Sequence, residues 1–279
     1  MELQQIGASH PRVKQALDLV NNATANRHKL FVAEGLWAHN VLLAADLPID
    51  YFLWCPEAAY SDEAKLRAEQ TAERAVRSYR ISEKTLARLT ERDRPDGLVS
   101  IARMPTWEPD EITLPEPALV VVADGIEIPG NLGTLIRTMD ACAANLLILT
   151  NRRTRMTHPK VFRGSHGTSV TVPWIEFDDP AAAIDWLAAH DVTTYLADTD
   201  EASNYRDVEY SSRTAIVVGA ERFGISKPWY EHGYEHGYEH GFERVAVPML
   251  GSGDSLNVAI SAAVLLYEVR ARIGPPTPG

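Results

Sequence analysis

The sequence predicts an α/β fold in two parts. A small α/β unit is expected over residues 1–105 and a parallel-sheet domain over 118–273, joined by a linker at 106–117. Three observations point there. Short apolar runs alternate with helically spaced segments along the whole chain. From Ala118 onward the apolar runs are continuous rather than alternating, as in strands covered on both faces. Between the two parts, residues 103–117 are rich in proline and acids and have little periodicity. With 279 residues, 45% hydrophobic and 23% charged, the chain has ample material for packed cores.

In order, residues 11–20 have helical spacing and Leu30-Phe31-Val32 begins a strand. Residues 35–45 return to helical spacing, and Tyr51-Phe52-Leu53-Trp54 is a strand. Residues 61–74, rich in Ala, Glu, Lys and Arg, suit a helix. Residues 76–79 are strand-like, Ser82 opens another helix, and 98–102 is again a strand. Ser61 and Ser82 are suited to cap their helices. In the second part, strands are expected at 118–123, 146–149, 170–177, 192–196, 215–218 and 245–247. Helices are expected at 132–142 and 180–190, with a closing helix at 255–273. The final Gly-Pro-Pro-Thr-Pro-Gly, 274–279, reads as a disordered tail.

No apolar run approaches the roughly 20 residues that span a bilayer, and the N-terminus lacks the basic and apolar regions of a secretory signal. Cys55 and Cys142, far apart in apolar surroundings, read as reduced buried thiols, so a cytoplasmic location is expected. A net charge of −11 argues against nucleic acid at first sight. Its distribution softens that: residues 1–105 carry 14 Lys/Arg against 14 Asp/Glu, and the remainder 13 against 24. Within this acidic half, residues 141–175 hold no carboxylate side chain, yet contain Arg152, Arg153, Arg155, Lys160 and Arg163 with His158 and His166. Such an island can dock a phosphate backbone; it can equally be a solvated basic loop.

Several chemistries lack their signature. There is no Gly-x-Gly-x-x-Gly after a first strand, no Walker motif, no Gly-x-Ser-x-Gly and no zinc spacing outside one repeat, so no metal is expected. That repeat, Tyr-Glu-His-Gly three times from Tyr230 to Gly241, places His232, His236 and His240 four apart. The spacing can bind metal, but a glycine at every fourth position weakens such a helix by roughly 1 kcal/mol each. A solvent-facing expansion is the simpler reading.

Three segments remain, each following a buried strand, where open α/β sheets build sites. They are Pro129-Gly-Asn131-Leu-Gly133-Thr-Leu-Ile-Arg137, then Gly219-Ala-Glu221-Arg-Phe-Gly224, then Pro248-Met249 followed by Ser255-Leu256-Asn257-Val258. Taken singly, Asn131 and Ser255 could be helix caps, Arg137 a surface residue and Glu221 part of a plain turn.

Together, in this order and spacing, they resemble the SPOUT-class RNA ribose 2′-O-methyltransferases of the TrmH/SpoU branch. Arg27-His-Lys29-Leu-Phe31-Val-Ala-Glu34-Gly35 and residues 81–100 resemble that family's N-terminal substrate module, itself related to ribosomal proteins that grip bent RNA. The likeness spans about residues 10–272, departing from the pattern at the histidine-rich insert and at His166. It implies a deep trefoil knot, S-adenosyl-L-methionine as cofactor, a homodimer and RNA as partner, ribosomal RNA before transfer RNA. It implies catalytic roles for Arg137, Asn131, Glu221, Ser255 and Asn257. It places the cofactor at Leu196, Gly219, Val247, Met249 and Leu256, and RNA at Arg27, Lys29, Arg152, Arg153, Arg163 and His166. Some relatives protect ribosomes against antibiotics, a role compatible with this composition. A catalytically silent RNA-binding protein of the same fold, and an unrelated nucleotide-binding α/β enzyme, are the competing readings.

Overall fold

The computed structural model describes residues 3–276 except 24, 25, 27, 201 and 232–241. Arg27 and the repeat's three histidines therefore lie outside the described residues. The chain divides into two compact units: residues 1–105 with 156–171, and residues 106–155 with 172–279.

The first unit contains β1 (Gln4–Gln5), α1 (Pro11–Val20), β2 (Leu30–Glu34), α2 (Leu36–Ala44), β3 (Ile49–Trp54), α3 (Asp62–Arg74), β4 (Ser78–Arg80), α4 (Glu83–Leu86) and β5 (Leu98–Arg103). Its sheet runs β1-β4-β3-β5-β2, with β1, β4 and β3 mutually parallel and β5 antiparallel to both β3 and β2. Alternate strand residues serve two cores. Val32, Leu53, Val99 and Ile101 meet Val13 and Ala16 of α1, while Phe52 and Leu98 meet Ala64 and Ala68 of α3. Ser61 and Ser82 cap α3 and α4 as expected, their hydroxyls accepting from Ala64 N (3.1 Å) and Thr85 N (3.4 Å).

One buried polar group sets a pH limit on this unit. His39 on α2 is fully buried. Its Nδ1 lies 2.8 Å from the Gly35 carbonyl, which only accepts, so Nδ1 carries the proton and Nε2 accepts from the Ser100 hydroxyl at 2.9 Å. Burial depresses the imidazole to about 4. The unfolded chain takes up a proton near 6.5 that the folded one refuses until about 4. Stability is therefore complete above pH 6.5 and falls by roughly 3 kcal/mol as pH drops to 4. Urea unfolding at stepped pH should show this slope, and His39→Gln should flatten it.

The second unit contains β6 (Ala118–Asp124), α5 (Pro129–Ala141), β7 (Leu146–Thr150), β8 (Trp174–Glu176), α7 (Pro180–Ala189), β9 (Thr193–Ala197), β10 (Ser203–Asn204), β11 (Arg213–Val218), α8 (Lys227–Glu231), β12 (Glu243–Ala246) and α9 (Val258–Ile273). Its sheet is β10-β12-β9-β11-β6-β7-β8, with every described pairing parallel. The continuous apolar runs have the expected cause: β6 is buried at all seven positions. The strand expected at 170–177 shortens to 174–176. Residues 168–170 form a 3₁₀ turn, and Pro173, which has no N–H to offer a ladder, delays the strand. Residues 106–117, expected as a linker, lie along this unit's core. Leu114 is buried, Trp107 and Ile112 pack beside it, and Trp186 Nε1 donates to the Pro109 carbonyl at 3.2 Å. Arg270 of α9 ties two helices together, its guanidinium donating to the Cys142 (2.9 Å) and Ala143 (2.6 Å) carbonyls at the end of α5.

Residues 156–171, carrying α6 (Pro159–Gly164), belong to the first unit. They complete a ring stack there: Phe31 on Phe162 (4.9 Å), Phe162 on Trp37 (5.3 Å) and Trp37 on His166 (5.0 Å between centroids). Gly167, at φ +89°, passes so close to Val41 that a Cβ would sit 2.8 Å from its Cγ2.

Candidate active site

Three parallel strands end at one cleft of the second unit. Ala197, Val218 and Ala246 are the last residues of β9, β11 and β12, and all three line it. The N-terminus of α5, through Ile128 and Asn131, and the first half of α9, through Val258, Ser261 and Leu265, close the sides. The cavity measures about 590 Å³, within the ~300–1,000 Å³ of small-molecule sites.

Each polar group is set by its own local structure. Pro129 opens α5 with its fixed φ and puts Asn131 in the first turn. After β11, Ala220 and Gly224 pair antiparallel (Ala220 N to Gly224 O 3.0 Å, Gly224 N to Ala220 O 2.8 Å), and Glu221 projects from the loop between them. This return needs a glycine at 219, where a Cβ would lie 2.2 Å from the Gly224 carbonyl carbon. Asn257, not Ser255, caps α9: its Oδ1 accepts from Ala259 N at 3.0 Å. Residues 250–257 ahead of the helix are exposed, so the helix starts at 258 rather than 255. Asn257 Nδ2 then donates to Asn131 Oδ1 (3.2 Å), and Asn131 Nδ2 donates to Glu221 Oε1 (2.5 Å). One hydrogen-bonded chain thus joins the three motifs, up to 126 residues apart in sequence. Ser255 lines the same cleft.

Of the five positions expected at the cofactor, Gly219, Val247, Met249 and Leu256 line the cleft. Leu196 instead faces the core, because it is the penultimate residue of β9 and the strand ends one residue later. Sequence reading missed that end. Ala197, Asp198 and Thr199 line the cleft, and Asp198 organises the turn. Its Oδ1 accepts from Thr199 N (2.7 Å) and Asp200 N (3.1 Å), and its Oδ2 accepts from the Tyr230 hydroxyl (2.5 Å). Burial, and after it the bond to Asp198, push the Tyr230 phenol far above its usual range, so it remains a donor. An Asp at the end of a predicted strand was the available signal. Asp124, also at a strand end, is already spent. It is buried and accepts from Thr150 Oγ1 (2.8 Å), Asn151 Nδ2 (2.7 Å) and Ser226 N (2.7 Å), fixing the loop behind the cleft.

Arg137 is exposed on α5 and does not line the cleft. Six residues beyond Asn131, it lies some 240° further around the helix. The basic island divides between the units. Arg152, which pairs with Glu176, and exposed Arg153 are in the second. Arg163, 3.4 Å from Glu91, and exposed His166 are in the first, as is Lys29. Among the described residues no group of three or more His, Cys, Asp or Glu side chains could hold a metal. No described helix is long and apolar enough to cross a membrane.

The cleft suits an adenosyl sulfonium donor. Val247, Met249, Leu256 and Leu265 offer an apolar wall, while Asp198 and Glu221 supply two carboxylates. Its described lining contains no lysine, arginine or histidine. Carboxylates without cations favour a positive donor and disfavour nucleotide phosphates.

A family model described as the SpoU rRNA Methylase family matches residues 118–267. The chain belongs to this family. A second model, the MRM3-like substrate binding domain, matches residues 10–100. The likeness read from the motifs is thereby borne out in both parts of this SpoU-family chain. Among its relatives is the 23S rRNA (guanosine(2553)-2′-O)-methyltransferase RlmP of Bacillus subtilis, 28% identical over 77% of this chain and 80% of the relative. Another is the 23S rRNA (guanosine-2′-O-)-methyltransferase RlmB of Bordetella pertussis, 31% identical over 78% and 88%. A solved structure of the SpoU methyltransferase AviRb from Streptomyces viridochromogenes, in complex with AdoMet, is 26% identical over 95% of this chain and 98% of that one, with a TM-score of 0.77.

Proposed function

We propose that this protein transfers a methyl group from S-adenosylmethionine to a ribose 2′-hydroxyl of ribosomal RNA. The observation that carries the reading is the Asn257–Asn131–Glu221 chain at the rim of a cleft with two carboxylates and no cation among its described lining residues. The 23S rRNA specificities in the names of RlmP and RlmB favour ribosomal over transfer RNA.

When bound, the cofactor supplies an electrophilic methyl on a positively charged sulfur. The residues do the rest. Gly219, Val247, Met249 and Leu256, with Ala197 through Thr199, hold the adenosyl portion. Asn131, fixed from both sides, presents its amide at the rim, where it can orient the ribose for in-line attack about 3 Å from the methyl carbon. Ser255 and Asn257 shape the entrance. Arg137 binds the phosphate beside the target and steadies the developing alkoxide. It lies outside its own chain's cleft, so the reading gives it to the cleft of a second copy. A homodimer using α5 and α9 would supply that, and exposed Ile260 and Tyr267 on α9 favour one. In the same reading, the chain beyond β12 threads the family's knot around the cofactor.

The test is transfer of labelled methyl from S-adenosylmethionine to protein-free ribosomal RNA, followed by alkaline hydrolysis. Label in an alkali-resistant dinucleotide is the expected result. Label in a base would overturn the ribose assignment, and no label while the cofactor binds would leave the silent RNA-binding reading standing.

RNA affinity carries a further prediction. Arg153 is exposed and Arg152 is engaged with Glu176. Arg152→Ala combined with Arg153→Ala should therefore lower the slope of log affinity against log salt by about one, not two. An unchanged slope would remove this pair from the RNA path.

A further inference from the structure

The first unit holds a cavity of about 720 Å³ that has no part in the cofactor site. Tyr60, Leu86, Arg92, Arg94 and Pro95 are among its walls, with Glu83 and Thr90. Tyr60 is 72% exposed. Yet it is held. Its hydroxyl donates to Asp96 Oδ1 at 2.6 Å, and Asp96, only 5% exposed, is itself fixed by Leu36 N (2.9 Å) and Arg92 Nη1 (2.9 Å) at Oδ2. Gly35 makes room for this: a Cβ there would lie 2.2 Å from Arg92 Nη1. The aromatic face is thus open to solvent while its far end is pinned, which is what a stacking platform requires.

The lining chemistry narrows the ligand. Arg92 and Arg94 are offset by Glu83 and Asp93, so the pocket is formally neutral, suiting an uncharged ring rather than a free polyanion. Leu86, Ala58, Ala87 and Pro95 provide apolar contact, and Glu83 provides an acceptor for a base edge, while the Thr90 hydroxyl is engaged with Glu34 and the Arg92 amide. Arg94 makes no ion pair among the described residues and remains able to meet the attached phosphate. These residues fall within the stretch that matches a substrate binding domain.

We propose that this cavity receives one unstacked nucleobase of the RNA substrate, sandwiched against the Tyr60 ring. The inference rests on the RNA-methyltransferase reading and adds a second RNA contact remote in sequence from the basic island.

The test is binding of a protein-free ribosomal RNA transcript by wild type, Tyr60→Ala and Tyr60→Phe, with S-adenosylmethionine affinity measured in parallel. Tyr60→Ala should weaken RNA binding about tenfold or more. Tyr60→Phe, which keeps the ring and loses only the bond to Asp96, should weaken it about threefold or less. Cofactor affinity should not change in either. Tyr60→Ala binding RNA as wild type does would overturn the proposal, and so would Tyr60→Phe proving as weak as Tyr60→Ala, since the hydrogen bond rather than the ring would then matter. Competition by micromolar free nucleoside monophosphate would overturn it too, by making the ligand a small nucleotide. If the wild type bound no ribosomal RNA and transferred no methyl group, the functional reading would fall together with the pocket. Intact methyl transfer by a Tyr60→Ala enzyme of wild-type RNA affinity would remove the pocket alone.

Discussion

Gly219→Ala is expected to abolish methyl transfer and to weaken S-adenosylmethionine binding by more than about a hundredfold. The added Cβ would meet only backbone: the Gly224 carbonyl carbon at 2.2 Å, Ile225 N at 2.3 Å and Gly224 O at 2.4 Å. No side chain can swing away, so the Ala220–Gly224 pairing must open. That would carry Glu221 off Asn131 and break the chain linking the motifs. Two other glycines serve as controls. Gly224→Ala meets nothing within 4 Å but must hold φ +68°, so it should cost about 1–2 kcal/mol without collapse. Gly130→Ala meets nothing and carries no such conformation, so it should be nearly silent. Titration calorimetry with the cofactor and thermal unfolding of all three variants would check this order. A Gly219→Ala protein that binds the cofactor normally would mean the 219–224 return is not part of the cofactor site.

The second large effect is at Arg137. Arg137→Lys should lose about a hundredfold or more in turnover while cofactor affinity stays within about twofold. Arginine holds its proton under all ordinary conditions, which makes it a poor base and a good clamp for phosphate and alkoxide. Lysine retains the charge but not the planar fork, so bidentate phosphate binding goes while the cleft, which Arg137 does not line, remains. If Arg137 serves a second copy's cleft, mixing Arg137→Lys with a Gly219→Ala partner should restore part of the activity in the heterodimer. Near-normal turnover by Arg137→Lys alone would take it out of the mechanism.

Much of this site was legible in the sequence because its parts are backbone punctuation. Gly219, Gly224, Pro129 and Asn257 advertise turns and helix starts. Strand-end positions in a parallel sheet converge whatever lies between them, so Asn131, Glu221 and Ser255 could be expected to meet. What was misread turns on single-residue registers. Leu196 and Ala197 are neighbours in β9, yet one packs inward and the other ends the strand at the cleft. Asn257 outcompeted Ser255 for the cap because only its side chain sits two residues ahead of an open N–H. The assignment of residues 156–171 to the first unit had no local signal. Val161 and Phe162 are the apolar positions any amphipathic helix would show, and the ring partners of Phe162, Phe31 and Trp37, lie more than a hundred residues away.

That last feature shapes how the protein can be made. The first unit is discontinuous, so a nascent chain that has emerged only to residue 105 still lacks the helix that covers Phe31 and Trp37. It must wait, with those rings bare, for some fifty residues of the other unit to be synthesised before its own interior closes. A fragment cut at the apparent boundary would keep that greasy face permanently, and should clump where the intact chain stays dispersed.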